Sequence, residues 1–188
     1  MLSENPDVAV EAMRRAADLK TPAAVTQLAR VLAERDVVLR REAVQALVAI
    51  GSPGALRVLE SALDDADRDV RMLVVRAIGA RDHRAALPRV EAVVMGREVR
   101  EADLTEKMAF FEAYGLLAGA AGVPQLDALL NGRSLVLRRR IDPEIRACAA
   151  RALGKIGSPA ALEVLRRAGE DKDVRVRSEI NRALRGEG

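Results

Sequence analysis

Histidine, cysteine and tryptophan are nearly missing from this sequence, with one His, one Cys and no Trp in 188 residues. Each shortage closes a class of chemistry. His83 alone cannot supply a histidine metal cluster. Cys148 alone excludes an internal disulfide and a cysteine-rich zinc site, and it fits a reducing compartment. No glycine-rich phosphate loop of the Walker type is present. No segment approaches the roughly 20 apolar residues that a membrane-spanning helix needs. The opening stretch MLSENPDVAVEAMRRAADLK carries acids and no long apolar run, so it does not read as a signal peptide. Neither charge sign dominates: 31 basic residues face 28 acidic ones, a net +3 too small to argue for nucleic acid by itself. The sequence reads as a soluble, cytoplasmic protein with no cofactor, no membrane partner and no catalytic residue set.

What is abundant is helix-forming material. Aromatics make up 2% of the chain, while Ala, Leu, Val and Arg dominate, which favours helix over sheet. The stretch ALVAIGSPGAL, from Ala46 to Leu56, returns as ALGKIGSPAAL, from Ala152 to Leu162. A helix end explains one glycine but not a shared Ile-Gly-Ser-Pro with matched apolar flanks, so the chain is internally repeated. Taking Ala46 as a mark, the same column holds Ala77, Ala113, Ala152 and Ala183, at steps of 31, 36, 39 and 31 residues. The repeat also reaches the start of the chain, where TPAAV aligns with SPGAL.

Two charged columns keep register through the uneven steps. Ten residues before each mark stand Asp36, Asp67, Asp103, Asp142 and Asp173, and six before stand Arg40, Arg71, Lys107, Arg146 and Arg177. An Asp just ahead of an apolar-periodic run predicts a helix N-cap. The runs behind them (Leu39, Ala43, Leu47, Ile50, and again Ile145, Ala149, Leu153, Ile156) have helical spacing. Gly51 and Gly157 end those helices, and Pro22, Pro53 and Pro159 suit the first turn of the next. Each unit is therefore two short antiparallel helices, which must stack on neighbours to bury their apolar faces.

At this point DPEIRACAARALGKIGSPAALEVLRRAGEDKDVRVR resembles the HEAT-like repeats, in the short form associated with phycobilisome-lyase-type and other bacterial scaffolds. The resemblance covers nearly all of residues 1–188. It implies an all-α, right-handed α-solenoid of antiparallel helix pairs, with an opening half-unit over residues 1–20 followed by five pairs. It also implies that an Asp/Arg ladder between repeats falls on the two charged columns, and that the second helices line a concave side. An array opening on half a unit reads as part of a longer bacterial protein.

The two long steps locate insertions between the first and second helices of adjacent units, around GREVREAD and around NGRSLVLRRRID. The second carries Arg133, Arg138, Arg139 and Arg140 together with Leu135, Val136 and Leu137. It reads either as a solvated loop or as an anchor for a carboxylate or phosphate, which Arg grips through its bidentate fork.

On the second helices, four columns lie off the buried stripe. In the two middle units they read Met72, Leu73, Arg76, Ala80 and Met108, Ala109, Glu112, Leu116, where the outer units are more charged. This Met/Leu patch, flanked by Arg76, Glu112 and Arg151, reads either as a partner groove or as packing between second helices. Phe110, Phe111 and Tyr114 sit mostly on the inward stripe and read as core.

The functional expectation is a non-enzymatic scaffold or adaptor that binds a polypeptide through the concave face or the Arg-rich edge. Two alternatives stand beside it: a module binding nucleic-acid phosphates through the Arg loops, and a lyase-like subunit in tetrapyrrole attachment. Alkylpurine DNA glycosylases of similar fold use Trp in a basic channel. This chain has no Trp and a mixed-charge inner face, so no catalytic residue transfers.

Overall fold

The computed structural model describes residues 6–132 and 141–186, and every regular element among them is a helix. The chain divides into two compact units, Met1–His83 and Arg84–Gly188. The Arg133, Arg138, Arg139 and Arg140 segment lies outside the described residues.

The first unit contains α1 (Pro6–Leu19), α2 (Pro22–Val31), α3 (Val37–Ile50), α4 (Pro53–Glu60) and α5 (Arg68–Ala80). The second contains α6 (Leu87–Met95), α7 (Glu98–Glu101), α8 (Leu104–Ala118), α9 (Val123–Asn131), α10 (Pro143–Ile156), α11 (Pro159–Arg167) and α12 (Val174–Leu184). The short α7 occupies the first insertion, between the two helices of its pair. No helix among the described residues is long and apolar enough to cross a membrane.

Local chemistry sets the helix ends. All five column aspartates cap: Asp36 accepts from Val38 and Leu39, Asp67 from Val70, Asp103 from Thr105 and Glu106, Asp142 from Glu144, and Asp173 from Arg175. Each cap satisfies backbone N–H groups that have no intrahelical partner, which is worth about 1 kcal/mol. First helices use another device, in which Thr21, Ser52 and Ser158 accept from the N–H three residues on, with Pro at the next position. Gly51 and Gly157 close α3 and α10 at φ 60, the left-handed conformation that glycine adopts without penalty. Gly51 has a second reason to lack a side chain. The Arg81 guanidinium lies where its Cβ would be, and Arg81 Nη2 donates to the Val48 carbonyl at 2.9 Å.

Each unit has its own core. In the first, α3 packs on α1, α2, α4 and α5, and Leu28, Leu47, Leu59, Leu63 and Ile78 are fully buried. In the second, α10 packs on α8, α9, α11 and α12, around Leu126, Leu130, Leu153 and Leu165. Burying one such side chain stabilises by about 1.5–3 kcal/mol. Phe110, Phe111 and Tyr114 are core residues of the second unit, as their stripe position predicts. The Tyr114 hydroxyl donates to Glu91 at 3.3 Å, and burial pushes its pKa up to about 12.

Candidate functional site

The charged columns are engaged in holding repeats together. Arg40 lies over the turn ahead of its own cap, donating to the Glu34 and Arg35 carbonyls, and forks onto Asp65 at 2.8 and 2.9 Å. Arg146 repeats this in the second unit, donating to the Ile141 carbonyl and pairing with Asp171. Arg71 and Arg177 likewise donate to the two carbonyls five and six residues back. The ladder therefore uses the basic column as expected, but its acids differ from those implied. Asp65 and Asp171 stand two residues before the capping Asp67 and Asp173, whose N–H groups they also accept at 2.8 and 2.9 Å. The capping aspartates bond their own helices, and of these Asp67 also accepts a fork from Arg41 of the preceding repeat. Arg140 stands at the rung-acid register of the inserted unit, and there buried Lys107 pairs instead with Glu144, at 2.8 Å.

On the second-helix face of the second unit, Arg151 of α10 bridges its neighbours, donating to Glu112 of α8 and, at 3.3 Å, to Glu179 of α12. Its charge is matched within the unit. On α8, Met108 is half-buried and Leu116 is 42% exposed. Backbones here approach closely. A Cβ on Gly115 would lie 2.6 Å from the Ala152 carbonyl oxygen, and one on Gly154 would lie 2.7 Å from the Ala183 Cβ. The alanine marks of the repeat are thus the close-packing surface between successive second helices. Cys148 is fully buried, and burial pushes its thiol up to about 12, far from a reactive thiolate.

The first repeat differs at one register. Val48 of α3 occupies the position held by Gly79, Gly115 and Gly154 in the following repeats. Its branched side chain adds bulk where glycine lets adjacent second helices close. Between α3 and α5 there is an open groove with a cavity volume of about 440 Å³. Val44, Val48, Leu73 and Ala77 contribute its apolar lining, with Ala49 and Ala80 exposed at its mouth. Among the described residues, Arg76 and Arg81 are its only charged lining residues, and no carboxylate lines it. Arg76 is exposed and forms no ion pair with a described residue.

The first-unit patch residues therefore separate in role. Leu73 and Arg76 line the groove, whereas Met72 is only 9% exposed and packs within the unit. Glu179 and Val48 were not singled out in the sequence. Register comparison could have flagged Val48 as the residue standing in a glycine column.

Among the described residues no group of three or more His, Cys, Asp or Glu could hold a metal ion.

The family model for HEAT repeats matches residues 1–79 and 113–185. No curated protein matches the sequence. Among solved structures, the chain is similar to the complex of CpcE and CpcF of phycocyanin lyase from Nostoc sp. PCC7120. That likeness has a TM-score of 0.61 and 21% identity, covering 97% of this chain and 72% of that one. An engineered protein gives a TM-score of 0.48 at 24% identity over 98% of this chain and 92% of its own. Human deoxyhypusine hydroxylase in complex with glycerol gives 0.47 at 18% identity over 99% and 92%.

Proposed function

Because the chain belongs to the HEAT-repeat family, we propose that it is a non-enzymatic scaffold of the cytoplasm that binds a polypeptide through the second-helix face of its repeats. The observation that supports this reading is the open apolar groove between α3 and α5. A row of apolar side chains in a groove between two helices is the surface that an apolar stripe of a partner segment fills. The ionic groups at the start of α3 have structural duties. Arg41 forks onto Asp67, Arg40 onto Asp65, and Glu42 pairs with Arg14. Leu73 and Arg76 are the residues at the first-unit site, and Leu116 is an exposed apolar side chain of the second unit.

The test compares the wild-type chain with Ala49→Trp as immobilised baits, read by quantitative mass spectrometry. Ala49 is exposed at the groove mouth, so the indole fills the groove without entering the core. A partner retained by the wild type and lost on the variant, with melting unchanged, supports the reading. Partners retained equally by both contradict it.

A lyase-like role is the second reading, raised by the name of the CpcE and CpcF complex. It expects saturable binding of a tetrapyrrole to the purified chain, read as an absorbance change. An unchanged spectrum on titration counts against it.

A further inference from the structure

We infer that the occupant of the α3–α5 groove is an acidic segment of a partner protein, carrying apolar side chains for the groove and a carboxylate for Arg76. The inference rests on the polypeptide-binding reading above and adds the chemistry of the ligand.

Charge complementarity defines the occupant. The groove lining combines apolar side chains with Gln45, Arg76 and Arg81, and holds no acid among the described residues. Elsewhere on these helices arginines are matched. Arg40 takes Asp65, Arg41 takes both Asp67 and Asp69, and the comparable position on α10, Arg151, takes Glu112 and Glu179. Arg76 occupies the Arg151 register, one residue before the alanine mark, and has no carboxylate among the described residues. Arg81 is held in place by the Val48 carbonyl and cannot swing away from the groove without giving up that bond at 2.9 Å. A ligand that brings only apolar groups leaves Arg76 unmatched, and a basic one is repelled by two guanidinium groups. A carboxylate beside an apolar side chain answers both features, because guanidinium and carboxylate match as a two-pronged fork. The apolar lining argues for a protein segment over a phosphate backbone, whose contacts are polar and charged.

The experiment selects a random dodecapeptide display library on the purified full chain, with counter-selection on Ala49→Trp. Selected peptides are synthesised with a fluorescent label and measured by anisotropy against wild type, Arg76→Gln and Arg76→Glu. Enrichment of Asp or Glu beside Leu, Ile, Met or Phe is expected, with affinity lower by about ten-fold in Arg76→Gln and by more in Arg76→Glu. Enriched peptides that are neutral or basic, bind Arg76→Glu as well as wild type and still require an open groove would overturn the acidic preference, leaving the polypeptide reading intact. Peptides that bind Ala49→Trp as well as wild type, or no enrichment at all, would overturn both. A duplex DNA probe retained in an Arg76-dependent way would overturn the inference in favour of a phosphate ligand.

Discussion

Arg146 and Asp171 form a buried ion pair within the second unit, their side chains 5% and 2% exposed. Asp171 also accepts the N–H of Asp173 at 2.9 Å, so one carboxylate joins α10 to the turn that starts α12. Removing one partner of such a pair leaves an uncompensated charge out of water. Asp171→Ala should therefore destabilise by about 3–5 kcal/mol. The double variant Arg146→Met with Asp171→Leu should lose much less, because it leaves no charge behind. Urea unfolding of the three proteins checks this. Equal losses in single and double variants would show that the pair does not act as a unit.

A rung of this kind was legible in only one of its two halves. The basic column could be read because it holds register with the caps, and the five capping aspartates could be read because a cap is a local event over three residues. Asp65 and Asp171 could not, since each meets its arginine 25 residues away and only after two helices have stacked. The same holds for the candidate site. Met72 and Leu73 are adjacent in sequence and both apolar, but helical geometry turns one inward and leaves the other on the groove. Arg76 and Arg151 share a column, yet only packing reveals that Glu112 and Glu179 take up Arg151.

The burial of Met72 makes a sharp contrast with its neighbour Arg76. Met72→Glu places a charge in the unit interior and should cost about 3 kcal/mol or more. Arg76→Glu changes an exposed side chain and should shift stability by within about 0.5 kcal/mol. Thermal melting of the two variants checks the difference, and a stable Met72→Glu protein would place Met72 on the surface.

Acid should weaken the first unit through its cap. The Arg41 guanidinium, hydrogen-bonded to Asp67, holds that carboxyl below the usual carboxylate range, and the cap bond to Val70 acts in the same direction. A carboxyl whose pKa is lowered by folding stabilises the fold fully above its unfolded value, about 4. That contribution is lost as pH falls through the lower folded value. Asp67→Asn keeps the cap but removes the titration, so its stability should change less between pH 5 and pH 2 than that of wild type. Denaturant midpoints across that range provide the measurement, with a parallel decline in both proteins as the contrary result.

Cys148 should be silent in the folded chain. Fully buried and with its thiol pushed up to about 12, it presents almost no thiolate near neutral pH. Iodoacetamide should label it slowly in buffer and rapidly in denaturant, as read by intact mass. Rapid labelling of the native protein would contradict the burial.

The most direct test of the binding account is a residue-resolved one. A peptide selected on the groove is titrated into the isotope-labelled chain, and amide shifts are followed by nuclear magnetic resonance. The account predicts that the largest changes fall on α3 and α5, at Gln45, Ala49, Leu73, Arg76 and Ala80, and vanish in Ala49→Trp. Changes confined to the arginine-rich segment of residues 133–140, with α3 and α5 unmoved, would contradict it.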